Sequence, residues 1–159
     1  MSIWGAVAGG LVGTLVLTTG MSAASGLGLS RMDLPFLLGT AFTADRVRAK
    51  ALGYLLHFIV GLAFAMIYFA VFSAIDRSGF ALGALFGLLH GLFAGTALVN
   101  VLLPLVHPRM GTPLSAADSQ PVLEPPGFLM LNYGASTPIV STIVHVAYGA
   151  IVGGFISLA

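Results

Sequence analysis

Four histidines, His57, His90, His107 and His145, are the side chains of this sequence best suited to metal or proton chemistry. Two of them share a setting. His57 follows Gly53 and precedes Gly61 and Ala65, and His145 follows Ser141 and precedes Gly149 and Gly153. Residues four apart lie on one face of a helix, so each histidine sits in a stripe of small residues. Two neutral imidazoles on facing helices can hold a haem iron axially. Gly61 and Gly149, one turn further on, would leave a porphyrin room against the backbone. Haem b is therefore the cofactor that a His57–His145 pair would take. The pair makes a poor site for a bare metal ion, because no carboxylate stands near it. Proton handling is a further use. The plainer alternative is that each imidazole hydrogen-bonds across to a neighbouring helix and fixes its register.

His90 stands one residue off a third small-residue stripe and suits a hydrogen bond within a bundle or toward a second subunit. His107 precedes Pro108 and reads as a solvated or interfacial loop residue. Asn100 needs a partner, most simply a backbone carbonyl or a serine on an adjacent helix. The known catalytic sets are missing. The chain has no cysteine, so thiolate metal sites and cysteine nucleophiles are excluded. There is no phosphate-binding glycine loop followed by lysine. The serines near histidines lack an acid to orient the base. The expectation is a protein that is not an enzyme.

The elements that must carry these residues follow from charge. The 159 residues include six Lys or Arg and five Asp or Glu, 7% in all, against 58% hydrophobic. All eleven charged side chains fall in three clusters, 31–50, 76–77 and 109–124. Charge near a bilayer centre costs several kcal/mol, which drives charges to the ends of spans. Four charge-free stretches, roughly 3–27, 51–75, 80–106 and 138–158, are each about long enough to cross a hydrocarbon core. The fold class expected is all-α, a polytopic membrane four-helix bundle forming a single domain. Asp76-Arg77-Ser78-Gly79 reads as a tight turn, which leaves loops 28–50 and 107–137 together on the other side. These carry Arg31, Arg46, Arg48, Lys50 and Arg109 against Arg77 alone opposite. The positive-inside rule places both loops in the cytoplasm and both termini outside a prokaryotic inner membrane. A net charge of +1 argues against nucleic acid. Within the loops, Asp33-Leu34-Pro35 and Glu124-Pro125-Pro126 read as starts of short interfacial helices, or as ordered coil under the bundle.

Glycine supplies the packing. Gly5, Gly9 and Gly13 form one stripe, Gly83, Gly87, Gly91 and Gly95 another, and Gly53, Gly61, Gly149 and Gly153 flank the two histidines. In lipid, close backbone approach through small residues replaces the hydrophobic drive between helices. These glycines read as seams within the chain or against another subunit. Short matches relate the halves: Gly-Leu-Val-Gly-Thr at 10–14 with Gly-Leu-Phe-Ala-Gly-Thr at 91–96, and His57 with His145. They predict two similar helix–loop–helix units with the same topology, related by an axis along the membrane normal.

The runs Leu-Leu-His-Phe-Ile-Val-Gly at 55–61, His-Pro-Arg-Met-Gly at 107–111 and His-Val-Ala-Tyr-Gly at 145–149 resemble small prokaryotic four-span membrane proteins with no assigned function. That resemblance implies the four-span fold and carries no catalytic residues. The functional expectation is a non-catalytic accessory or structural subunit packed in a larger membrane assembly, with an electron-transfer complex as the setting. The alternatives are a haem b protein using His57 and His145, and a small oligomeric channel or carrier.

Overall fold

The computed structural model describes residues 1–110 and 123–158. Among them the chain is helical, and four helices are long and apolar enough to cross a membrane: α1 (Ile3–Gly26), α3 (Arg46–Ala74), α4 (Phe80–Val106) and α5 (Thr137–Leu158). A short α2 (Leu34–Gly39) lies between the first two.

The ends of these helices have local causes. The Ser2 hydroxyl accepts from the Trp4 and Gly5 amides and caps α1. Asp33 Oδ1 accepts from Phe36 N at 3.1 Å, and Pro35 occupies the first turn of α2, where its missing N–H costs nothing. Asp45 Oδ1 accepts from Arg48 N at 2.8 Å, so α3 starts at Arg46, ahead of the expected boundary at 51. Arg46, Arg48 and Lys50 thus ride on the first turns of a helix that extends beyond its apolar part. The 76–79 turn is tight, with Asp76 at φ 51° and Gly79 at φ 131°.

The second loop differs from the first. Phe128–Tyr133 is a 3-10 segment in which Leu129 and Met130 take left-handed φ of 51° and 62°, so no regular helix forms there. It packs under the bundle, with Met130 buried and Leu129 placed where a side chain on Gly95 would point. Part of the polar stretch 107–126 lies outside the described residues. On either side of the gap, Leu123 N donates to Arg109 O at 2.8 Å and closes a small bridge with Met110.

The long helices form a ring in the order α1, α3, α4, α5, each antiparallel to its neighbours. Gly10 faces Leu62 and Ala65, and Gly61 faces Thr14, which sets α1 on α3. Gly5, Gly9 and Gly13 meet Phe155, Val152 and Tyr148, which sets α1 on α5. Gly83 and Gly87 lie against Gly149, His145 and Val146, and Gly153 lies against Gly79 and Gly83, which sets α4 on α5. The fourth wall, α3 against α4, is built from rings: Phe72 on Phe86 with centroids at 5.0 Å, Tyr68 on Phe86 at 5.6 Å and Phe64 on His90 at 3.9 Å. Gly39 and Gly53 let α2 lie on the start of α3.

Both termini meet at one end, where Ser2 N donates to Ile156 O at 3.3 Å. Both loops meet at the other. Arg31 N donates to Tyr133 O at 2.7 Å, the Ser30 and Thr137 hydroxyls lie 2.9 Å apart, and Arg31 pairs with Glu124 at 3.6 Å. The outer faces keep Leu15, Leu55, Leu89 and Ile143 more than half exposed.

Candidate functional site

Three of the histidines converge inside the ring. A cavity of about 370 Å³ lies in the loop-side half of the bundle, and His57, His90, His145, Thr14 and Tyr148 line its inner end. Its walls are apolar, with Phe64 from α3 and Ala94, Leu98 and Val99 from α4, and Met21, Met32 and Met130 also line it.

His57 and His145 are 7% and 8% exposed, so both imidazoles are turned into the bundle. Their Nδ1 atoms are committed. His145 Nδ1 lies 2.7 Å from the Ser141 carbonyl oxygen one turn back, a contact that requires Nδ1–H to donate. His57 Nδ1 lies 2.9 Å from Thr18 Oγ1 on α1. That hydroxyl already donates its single hydrogen to Thr14 O at 2.7 Å, so it accepts from His57 Nδ1–H. Both rings therefore hold the Nδ1–H tautomer and carry a lone pair on Nε2. Among the described residues neither Nε2 has a hydrogen-bond partner. No fully enclosed side-chain nitrogen or oxygen among them is left unpartnered, so both Nε2 atoms open onto cavity space.

His90 belongs to the same cluster. Its ring stacks on Phe64, stands edge-on to His145 with centroids at 5.0 Å, and offers Nδ1 to the Tyr68 hydroxyl at 3.4 Å. Spacing in the chain does not report this, because His90 is one position off its glycine stripe. The third member arrives because α4 faces the same interior from the opposite wall. Tyr148, 1% exposed, donates to Gly61 O at 2.5 Å and ties α5 diagonally to α3.

The α4 wall has an irregular backbone. Residues Ala94–Leu102 are π-helical. Pro104 lacks the N–H that would bond to Asn100 O, and its ring crowds that carbonyl. The wider π register relieves the clash. Asn100 repairs the opened turn by donating Nδ2 to Gly95 O at 2.9 Å and Thr96 O at 3.0 Å. Continuous apolarity over 80–106 gives no sign of this segment.

His107 is not a solvated loop residue. It is 3% exposed, with Nε2 2.9 Å from Leu37 O and Nδ1 accepting from Arg109 N at 3.2 Å. The Arg109 guanidinium donates to Thr40 O. His107 and Arg109 thus lock the end of α4 onto α2.

The residues present do not fit a haem. Gly149, which was to face a porphyrin, faces the Gly83 carbonyl and the Gly87 backbone instead, and the space beside Gly61 is taken by Thr14. Among the described residues no Lys or Arg lines the cavity to meet propionates. Nor do three His, Asp or Glu side chains gather in a metal-binding arrangement among the described residues. Gly5, Gly9, Gly13, Gly83, Gly87, Gly91, Gly149 and Gly153 all face other helices of the same chain, Gly53 faces Pro35, and Gly95 faces Leu129 and Met130.

Comparison with protein-family models, with curated proteins and with solved structures gave no match.

Proposed function

We propose that this chain is a non-catalytic, multi-pass protein of a prokaryotic inner membrane that holds an apolar small molecule between its helices. The observation that carries the reading is the histidine-lined cavity. Its volume of about 370 Å³ falls within the range of roughly 300–1,000 Å³ found for small-molecule sites, which are mostly apolar with a few convergent polar groups. Val60, Leu102, Leu105 and Val106 line it and are also exposed on the outer surface, so it opens sideways between α3 and α4.

A lipid surround is supported by the four long apolar helices and by large aliphatic side chains exposed all round them. Arg31, Arg46, Arg48, Lys50 and Arg109 belong to the loop end, and Arg77 to the end that carries the termini. That imbalance supports cytoplasmic loops and external termini. The two halves read as a duplication, supported by the matched settings of His57 and His145 and by the same back-bond in each half, Thr14 Oγ1 to Gly10 O and Thr96 Oγ1 to Leu92 O.

An accessory role beside a larger electron-transfer assembly is compatible with this reading, with the cavity as the place where a shared ligand is held. The glycine seams do not argue for a partner, because they are filled from within the chain. The test is extraction of the protein in mild detergent, followed by mass spectrometry of the organic extract. One apolar compound near one per chain is expected, lost when Ala94→Phe fills the cavity. A bulk-lipid profile indifferent to Ala94→Phe would overturn the reading. A Soret band abolished by His57→Ala would restore haem.

A further inference from the structure

This inference rests on the ligand-binding reading and specifies the head group. Hydrogen-bond acceptors outnumber donors at the inner end of the cavity. His57 and His145 turn their Nε2 lone pairs to the cavity, because Thr18 Oγ1 and Ser141 O hold their Nδ1–H groups. The Thr14 hydroxyl gives its hydrogen to Gly10 O at 2.7 Å, and the Tyr148 hydroxyl gives its own to Gly61 O. The wall therefore presents the two Nε2 acceptors of His57 and His145, and its one imidazole donor is His90, whose Nδ1 accepts from Tyr68 and whose hydrogen stays on Nε2. A hydroxyl head, which both donates and accepts, satisfies the two acceptors and the donor, whereas a head that brings only acceptors can meet His90 alone and leaves His57 and His145 unanswered.

We propose that the cavity binds an aromatic diol carrying an apolar tail, that is, an isoprenoid hydroquinone, and selects it over the corresponding quinone. Phe64, His90 and Tyr148 offer ring faces and edges beside the two imidazoles, which suits a flat aromatic head. The exposed Leu102, Leu105 and Val106 at the mouth give the tail an apolar exit between α3 and α4. A quinone carbonyl facing an Nε2 lone pair sets acceptor against acceptor. To bind it, either histidine must move its hydrogen to Nε2 and give up Thr18 or Ser141. Leaving such a buried group unpaired weakens binding by roughly tenfold or more.

The experiment is anaerobic calorimetry on the purified protein in nanodiscs. The probes are a short-chain alkyl benzohydroquinone, its quinone and its dimethyl ether. The hydroquinone is expected to bind roughly tenfold or more tighter than either of the others. Thr18→Val removes the acceptor that fixes His57 and leaves the imidazole in place. In that variant the quinone should gain on the hydroquinone, without the loss of fold that deleting a buried histidine risks. Equal affinity for all three probes in the unmodified protein would overturn the head-group assignment and leave the cavity reading intact. Binding of none of them, with no co-extracted apolar compound, would overturn both.

Discussion

Gly87→Ala tests the α4–α5 seam most sharply. A Cβ at Gly87 would fall against the His145 carbonyl oxygen, 2.8 Å from Val146 Cα and 3.0 Å from His145 C. Ordinary contact begins near 3.4 Å, so the helices must part by at least 0.6 Å at Val146 and further at the carbonyl. The obstacle is backbone, and no rotamer change can relieve it. A gap of about 0.5–1 Å forfeits a quarter to a half of the dispersion energy of each contact it opens, and overpacking of this kind costs about 1–3 kcal/mol. Taking about 2 kcal/mol, the midpoint of thermal unfolding should fall by roughly 4–8 °C in a chain of this size. Gly26→Ala is the control, because a Cβ there meets nothing within 4 Å. It should leave the midpoint unchanged or raise it slightly through better helix propensity. Both variants would be followed in detergent by circular dichroism and by size-exclusion after heating. Equal midpoints for the two would refute the claim that α4 and α5 meet backbone to backbone.

Other outcomes follow from the loop end. Replacing Ser30 and Thr137, whose hydroxyls lie 2.9 Å apart, with cysteine in this cysteine-free chain should give an intramolecular disulfide, visible as a reducible shift on a gel; failure to oxidise would separate the two loops. His107→Ala should cost about 1–3 kcal/mol by leaving buried backbone groups on α2 without their partner, and amide exchange should quicken over 37–41 before it does in the long helices. Tyr133 donates to Glu124 O at 2.6 Å, and burial, with the Glu124 carboxylate second, raises its pKa against a smaller opposing effect of Arg31. A raised phenol pKa means that its contribution is complete below the unfolded value near 10 and is lost as pH climbs above it. Tyr133→Phe should therefore flatten the alkaline limb of a stability–pH curve measured by thermal unfolding.

The apolar parts of the long helices are legible in the residues because charge is excluded from them, and the register of His57 and His145 is legible because four-residue steps stay on one face. The start of α2 is legible too, since Asp33 and Pro35 act locally. What escapes is whatever depends on a neighbouring helix. His90 sits about 100° around α4 from its glycine stripe, and only the position of α3 opposite decides that this face looks inward. His107 reads as a boundary residue until Leu37 and Thr40 are brought to it across some seventy positions of chain. Gly149 looks like space for a cofactor until Gly83 and Gly87 fill it. The left-handed pair at Leu129 and Met130 defeats the acid–proline helix signal, because the chain must turn back under Gly95 to reach α5.

The placement of the cavity follows from which side chains build which wall. Along α1–α3, α1–α5 and α4–α5 the glycines bring the helices into close contact. Along α3–α4 the spacers are phenylalanine, tyrosine and histidine rings, which hold the two helices apart. Toward the termini Tyr68, Phe72 and Phe86 fill that wider space with tilted and edge-to-face contacts. Toward the loops the rings give out, and the π segment of α4 replaces them with Ala94, Leu98 and Val99. Both the opening and the route to it are thus confined to one wall and one half of the bundle. On the proposed reading, a ligand entering from the lipid passes Val60, Leu102 and Leu105 first and meets the acceptor nitrogens of His57 and His145 at the end of its path, an order that favours an amphiphile arriving head first with its tail left in the bilayer.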